Sequence, residues 1–232
     1  MVITMRALIL HLEPIETLDS ETGLLSNADV DSTMSIVNGC FSANKVKLLQ
    51  NNFIVEEIDY KALLQKRNQH SNVMNLFANY IQSFLTPPQK KYDFIWIRSH
   101  GAFECIGRKN EITSEQIKDF FNWLPSSLKQ NATILLDACK TGQLTYKCKK
   151  NTLDTKSLED NIQFAFAKLT QHLKDVTIFA PTTPFNHCVF SPQKNGSFHV
   201  GHADSDHISS RKSCTIELGK NTKEILDQKE YT

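Results

Sequence analysis

The chain has 232 residues, of which 40% are hydrophobic and 22% are charged, and its formal net charge at pH 7 is +1. This length and hydrophobic content predict one globular domain with a sizeable core, and the balanced charge argues against a protein that binds nucleic acid by neutralising phosphates. No run approaches the roughly 18 consecutive apolar residues that a membrane-spanning helix requires.

The cysteines and the N-terminal residues indicate the compartment. Arg6 interrupts the apolar stretch "MVITMRALIL" and no small-residue cleavage site follows it, so we interpret this stretch as an opening strand and not as a signal peptide. The cysteines are scattered, without a CxxC pair, which predicts reduced thiols. We expect a protein that is cytoplasmic or is delivered to another reducing compartment. The six cysteines are Cys40, Cys105, Cys139, Cys148, Cys188 and Cys214.

Short apolar runs alternate with stretches of helical periodicity along the chain. Capping-box residues precede two of the predicted helices. The predicted strands are Ala7 to Leu10, Phe53 to Ile58, Phe94 to Ile97, Thr133 to Leu136, Val176 to Ala180 and, as a sixth, Thr215 to Leu218. The predicted helices begin near Asn44, at Val73, after the Thr113 and Gln116 pair, and after the Ser157 and Asp160 pair.

The composition of the strands predicts the fold class. Runs of Val, Ile, Leu, Phe and Trp are apolar on both faces, which is typical of a parallel sheet covered by helices on both sides. We therefore expect an α/β fold with a mostly parallel six-stranded sheet flanked by helices. We expect residues 1–232 to form a single domain, with a core at about 6–180 and with a loop near the functional site and the last strand within 181–232.

Two of the apolar runs end in residues that carry out chemistry. His100 and Gly101 follow one run, and Cys139 follows another, with Gly142 shortly after it. Ligands of an open α/β sheet bind beyond the carboxyl ends of its strands, and an imidazole beside a thiol lowers the thiol pKa and supplies a general acid. The alternative is that His100 caps local backbone and that Cys139 is packing. The matching strand ends favour a catalytic dyad.

The motifs "SHG" and "DACKTG" resemble those of the caspase-like cysteine peptidases. This group includes caspases, metacaspases, legumains, gingipains, clostripain-like enzymes and CHAT domains. The histidine and cysteine are 39 residues apart (139 minus 100), and the interval holds a predicted hairpin at 102–112 and one helix, as this fold would place them. The resemblance covers about residues 6–180 and implies a caspase-like three-layer sandwich. A strict caspase is not implied, because Asp137 stands where caspases carry Gln.

The resemblance implies a role for each residue of the site. Cys139 would be the nucleophile, and His100 would protonate the leaving amine and then activate water. The N–H groups of Gly101 and Cys139 would form the oxyanion hole, where a side chain at position 101 would crowd the carbonyl. The expected partner is a protein or peptide substrate. We expect no metal or other cofactor, although the resemblance leaves calcium open.

Asp137 is a candidate for substrate binding. In similar clostripain-like enzymes and metacaspases, an acidic residue two positions before the nucleophile pairs with Arg or Lys of the substrate, and a carboxylate suits a guanidinium well. The alternative is a strand-end carboxylate that backbone N–H groups or a nearby Lys satisfy. Asp204 and Asp206 are further candidate pocket acids.

Two polar stretches have other interpretations. The residues between His187 and His207 include metal-ligand types, but their spacing matches no regular metal signature, so we interpret the stretch as a substrate-facing loop. The stretch Leu144 to Lys156 is basic, and caspase-like enzymes are often cut at this position. The metal-ligand types are His187, Cys188, His199, His202, Asp204, Asp206 and His207, and the candidate autocleavage residues are Lys147, Lys149 and Lys150.

The sequence thus predicts a cysteine endopeptidase that cleaves polypeptides after Arg or Lys. One alternative is a CHAT-like module that binds partners without hydrolysis. Another is a thiol acyltransferase or deamidase that uses the same dyad. For the basic stretch, the alternative to autoproteolysis is an uncut, solvated loop.

Overall fold

A six-stranded sheet forms the centre of the protein. The computed structural model describes residues 4–12, 43–59, 81, 83–85, 90–107, 112–143, 157–182, 187–193, 197–203, 215–217 and 219–227. The strands of the central sheet are β1 (Met5–His11), β2 (Phe53–Asp59), β3 (Tyr92–Arg98), β6 (Leu128–Asp137), β7 (Thr177–Phe179) and β11 (Lys220–Asn221). Their order is β11-β7-β6-β3-β1-β2, and all neighbours are parallel except β11, which is antiparallel to β7.

Two small antiparallel sheets and several helices complete the described structure. One small sheet is the hairpin of β4 (Cys105–Ile106) and β5 (Ile112–Thr113), and the other contains β8 (His187–Pro192), β9 (Phe198–Ala203) and β10 (Thr215–Glu217). Helices span 43–50, Ser114–Phe120, Leu124–Ser127, Ile162–Thr170 and Thr222–Asp227, residues 81 and 83–85 are helical, and Leu158–Asp160 forms a 3₁₀ turn.

Both faces of the central sheet are buried, as its apolar strands predict. On one face, Leu8, Ile95 and Ile134 belong to a core shared with the helices Ser114–Phe120 and Ile162–Thr170. On the other face, Ala7, Phe94 and Leu135 pack with Leu48 of helix 43–50 and with Phe198 and Val200 of β9. Because apolar area is removed from water on both sides, the sheet has the interior position typical of parallel strands. The predicted α/β class and mostly parallel six-stranded sheet are confirmed.

Thr215–Glu217 is a strand, as predicted, but it does not belong to the central sheet. Thr215–Glu217 pairs with β9 in the three-stranded sheet, and the sixth strand of the central sheet is Lys220–Asn221. A strand of two polar residues has no apolar run to reveal it. Gly219 allows its approach, because a Cβ there would lie 2.5 Å from both the Phe179 ring and the Thr177 methyl group.

The interpretation of residues after 180 as a loop and a last strand also needs correction. The strands β8 and β9 pair antiparallel, and the Phe198 ring stacks on that of Phe94 with centroids 4.2 Å apart. Ile225 of helix Thr222–Asp227 is fully buried in the core that contains Leu8, Ile95 and Ile134. The core therefore extends well beyond residue 180. The sequence did not indicate an alternation of apolar and polar residues in β8 and β9, because His, Ser and Gly occupy many of their positions.

The helix starts are partly as predicted. Thr113 and Gln116 form a capping box at Ser114–Phe120. Ser157 and Asp160 also form a capping box, but it opens the 3₁₀ turn, and Asn161 caps the helix that follows. Within the described residues, no helix is long and apolar enough to cross a membrane.

Candidate active site

The topology of the central sheet predicts a ligand-binding crevice at the carboxyl ends of β1, β3 and β6. The chain places β2 on one side of β1 and β3 on the other, so the strand order reverses between β1 and β3. In open α/β sheets, such a reversal opens a crevice beyond the strand ends where ligands bind. The "SHG" and "DACKTG" motifs both lie at this edge, just beyond β3 and at the end of β6.

Three polar residues end these strands in one row. His11, Arg98 and Asp137 are Cα partners across β1, β3 and β6, so their side chains lie on the same face of the sheet. Asp137 is 9% exposed, and its Oδ2 accepts a hydrogen bond from the Trp96 indole N–H at 2.9 Å and one from Arg98 Nε at 3.4 Å. Arg98 Nη1 lies 3.4 Å from His11 Nδ1. The row joins the ends of three strands through polar contacts.

The row continues onto β2 through Glu57. His11 is 1% exposed, and its Nε2 lies 2.8 Å from Glu57 Oε1. Lys45 of helix 43–50 contacts the other carboxylate oxygen. The His11 hydrogen bond, with that of Lys45, lowers the pKa of Glu57 from 4.5 to about 2 despite the opposing effect of partial burial. Glu57 is therefore an anion at neutral pH.

Cys139 lies at the start of a tight turn that follows β6. Lys140 has a φ of 58°, in the left-handed region, and Thr141 Oγ1 donates to the carbonyl of Ala138 at 2.8 Å. The N–H of Gly142 bonds the carbonyl of Pro181 at 2.9 Å, which ties the turn to the end of β7. Cys139 is half-buried, is not part of a disulfide, and packs against the core that contains Ala7, Phe94 and Leu135. A sharp turn of this kind, with a bulky residue in the left-handed region, is a feature that clusters at functional sites.

Gly101 packs directly against the backbone of the cysteine turn. A Cβ on Gly101 would lie 2.7 Å from the Ala138 Cβ and 3.0 Å from the Cys139 carbonyl oxygen. The Ser99 N–H bonds the Asp137 carbonyl at 3.2 Å, which extends the pairing of β3 and β6 to this point. Only a glycine fits this approach. The "SHG" and "DACKTG" segments are thus in contact. His100, which belongs to the first of these segments, is exposed.

The hairpin sets the direction of the Gly101 N–H group. Gly101 and Ile106 form an isolated antiparallel bridge, and the bonds that flank it run from Ala102 N–H to the Cys105 carbonyl and from Gly107 N–H to the His100 carbonyl, each 2.9 Å long. In this pattern the bridged residue directs its own N–H away from the paired strand. The hairpin therefore leaves the Gly101 N–H to face the opposite side.

A buried asparagine holds both motif loops. Asn161 is fully buried, and its Nδ2 donates to the carbonyls of Thr141 and Gln143 at 3.1 Å and lies 3.4 Å from that of Phe103. Its Oδ1 accepts from the Phe164 N–H at 3.0 Å, as a helix N-cap. One side chain therefore fixes the loop after His100, the turn after Cys139 and the start of helix Ile162–Thr170.

Four residues of the site were not predicted from the sequence, namely His11, Arg98, Glu57 and Asn161. A signal for the first two was present, since "LILH" and "FIWIR" each end an apolar run in a polar residue at the same edge. Asn161 gave no such signal, because its role depends on two distant loops. The other predicted acids and lysines, Asp204, Asp206, Lys147, Lys149 and Lys150, lie outside the described residues, as does His207.

The candidate metal-binding stretch is partly described. Cys188 and His202 are Cα partners across β8 and β9, and Ser191 faces His199. Among the residues that the structure describes, no group of three or more His, Cys, Asp or Glu side chains is arranged to hold a metal ion.

Comparison with known proteins does not assign the chain to a family. Neither a scan against protein-family models nor a search of curated proteins finds a match.

Replacing Asn161 by Ala should destabilise the protein by about 2–4 kcal/mol, because the change removes an N-cap and the side-chain donor to the carbonyls of Thr141 and Gln143. Chemical denaturation measures the free energy of unfolding, and hydrogen exchange should accelerate at 103–105 and 141–143. Asn51→Ala is the control, since it removes one bond from a partly buried side chain to the Lys47 carbonyl and should cost at most about 1 kcal/mol. Equal effects of the two substitutions would contradict the role of Asn161.

The depressed pKa of Glu57 makes its stabilising effect depend on pH. Because the folded-state pKa lies below the unfolded-state pKa, the effect is complete above pH 4.5 and is lost as the pH falls toward 2. Glu57→Gln should cost about 1 kcal/mol at pH 6, a value reduced by solvent screening of this partly exposed group. More than half of that difference should disappear by pH 3 in urea unfolding. The control Glu115→Gln removes an exposed carboxylate elsewhere, and a difference between wild type and Glu57→Gln that does not change with pH would count against the assignment.

Proposed function

We propose that the protein is a cysteine endopeptidase that uses a His100–Cys139 dyad and has a caspase-like sandwich fold. The observation that carries the proposal is the contact of Gly101 with the Ala138–Cys139 backbone, which leaves no room for a Cβ. This contact brings the residue after the histidine to the residue of the thiol. The parallel sheet with both faces covered supports the fold proposal.

The proposed reaction proceeds in two steps. The Cys139 thiolate attacks the scissile carbonyl carbon, and the developing oxyanion accepts hydrogen bonds from the N–H groups of Gly101 and Cys139. The C–N bond breaks as His100 gives a proton to the leaving amine. His100 then takes a proton from water, the hydroxide attacks the thioester, and the C–S bond breaks to release the acid and the thiolate. The outward direction of the Gly101 N–H, away from the hairpin, supports its role as an oxyanion donor.

We further propose that Asp137 gives the site a preference for Arg or Lys before the scissile bond. Asp137 and Cys139 are two residues apart at the end of β6, and Cys139 borders the core on the face that also carries the Asp137 side chain. A carboxylate beside the nucleophile is a suitable partner for a cationic side chain. The proposal is supported by the Arg98 guanidinium, whose Nε lies 3.4 Å from Asp137 Oδ2.

Autoproteolysis stays a hypothesis of the sequence. Lys147, Lys149 and Lys150 follow the nucleophile closely, and an enzyme that cuts after basic residues would accept such a segment. Purified wild type that yields two fragments by intact mass, beside a full-length Cys139→Ala variant, would support this processing.

Cys139→Ala and His100→Ala should each abolish peptide hydrolysis without unfolding the protein. The double variant should be as inactive as either single variant, because the dyad acts as a unit. A peptidyl-Arg electrophile should label wild type at one site by intact mass and should not label Cys139→Ala.

Matched controls separate the dyad from general effects of the substitutions. Cys105→Ala removes a buried thiol in β4, and His172→Ala removes an exposed imidazole; both should retain labelling and turnover. Near wild-type turnover of Cys139→Ala would refute the proposal. An absence of labelling by any peptide electrophile would favour a binding module, and labelling with ammonia release but no peptide cleavage would favour a deamidase.

Asp137→Asn should weaken the preference for basic over neutral substrates by roughly 1.5–3 kcal/mol, the range for hydrogen bonds to charged groups. The ratio of kcat/KM values for peptides that differ only before the scissile bond measures this preference. A wild-type preference for Asp or for small residues would show that Asp137 is structural.

A further inference from the structure

The carboxylate of Asp137 requires a positive partner when no substrate is bound. The residue is 9% exposed and lies beside the apolar core that contains Ala7, Phe94 and Leu135. A buried carboxylate without a partner is strongly unfavourable, since it has lost its hydration without compensation. Arg98 provides the partner from the neighbouring strand, at the same level of the sheet.

The contact of Arg98 with Asp137 is weaker than a substrate contact can be. Arg98 Nε lies 3.4 Å from Oδ2, whereas the indole N–H of Trp96 lies 2.9 Å from the same oxygen. Charge-assisted N–H···O bonds are usually about 2.7–2.9 Å long, and a guanidinium can form two in parallel with one carboxylate. A substrate guanidinium therefore has more to gain from Asp137 than Arg98 does.

Arg98 has a second partner on its other side. A guanidinium donates hydrogen bonds and accepts none, so the contact between Nη1 and His11 Nδ1 requires that Nδ1 accepts. The His11 proton then resides on Nε2 and is donated to Glu57 at 2.8 Å. The His11 ring therefore lies between the Arg98 guanidinium and the Glu57 carboxylate.

We propose that Arg98 is an internal competitor for Asp137, so that a basic substrate side chain binds by taking the carboxylate from Arg98 while His11 retains the guanidinium. The inference rests on the proposed function, and it makes Arg98 a specificity-determining residue. Arg98 keeps the empty site neutral and, by the same contact, weakens its affinity for cations. Arg98 and His11 should therefore act on selectivity in opposite directions.

The test compares peptides with Arg or citrulline before the scissile bond, because citrulline has nearly the same shape as Arg without its charge. Arg98→Gln keeps a hydrogen-bond donor beside Asp137 and removes the competing charge, so the Arg-to-citrulline ratio of kcat/KM should rise about tenfold or more. Arg98→Lys keeps the charge, and its ratio should stay within about threefold of wild type. His11→Leu removes the second partner of Arg98, and its ratio should fall.

The control is Lys129→Gln, which removes a cation from an ion pair with Asp93 at the opposite end of the same strand as Asp137. Its ratio should not change. If Arg98→Gln lowers the ratio or leaves it unchanged, Arg98 is a structural counter-ion and the proposal is overturned. If both Arg98→Gln and His11→Leu lower the ratio, the row only supports the fold, and the proposal is likewise overturned.

A titration with agmatine separates this inference from the proposed function. Agmatine carries the guanidinium of Arg without a scissile bond, and calorimetry measures its Kd in each variant. It should bind Arg98→Gln about tenfold more tightly than wild type and should not bind Asp137→Asn. If wild type neither cleaves nor is labelled, the endopeptidase proposal fails, but this titration still decides whether Arg98 competes for Asp137. If Arg98→Gln does not fold, weaker agmatine binding by His11→Leu supports competition, and unchanged binding overturns it.

Discussion

The in-register pairing of β1, β3 and β6 is the constraint on which the candidate site depends. Parallel pairing fixes which residues stand side by side, so three strands of different sequence place His11, Arg98 and Asp137 at one level and on one face of the sheet. A shift of one residue in any strand would send its polar side chain into the opposite face. The strength of the apolar pairing below, where Ala7, Phe94 and Leu135 are buried, is what keeps charged groups aligned at the edge.

A second level of order is added by side chains that connect loops. The strands end before His100 and Cys139, so their positions depend on the turn at 138–142, on the hairpin of β4 and β5, and on Asn161. These parts tie the loops to a helix whose apolar side packs into the first core. The rigidity that the proposed dyad would need therefore comes from the core through hydrogen bonds to loop carbonyls, and not from the loops themselves.

The sequence was sufficient for the parts of the fold that rest on local apolar content. Five of the six strands and the covering of both sheet faces follow from runs of Val, Ile, Leu and Phe, and the capping box follows from the local pair Thr113 and Gln116. The strand Lys220–Asn221 and the pairing of β8 with β9 could not be predicted from the sequence, because their residues are polar or mixed and, for Lys220–Asn221, the pairing partner is distant. In the site, the positions of His100 and Cys139 after two apolar strands could be predicted, but the partners of Asp137 could not be foreseen without the register, since Trp96 and Arg98 belong to another strand.

Hydrogen bonds to later parts of the chain hold the turn at 138–142 in place. Gly142 bonds to Pro181, and Thr141 and Gln143 bond to Asn161, so the segment that carries the thiol is held by residues that come after position 157. A break in the backbone between 143 and 157 would leave these bonds in place, together with the pairing of β6 with β7. The protein is thus suited to exist as two complementary pieces, with the thiol on one piece and its anchors on the other. Reassembly of the pieces would then itself be the event that builds the site.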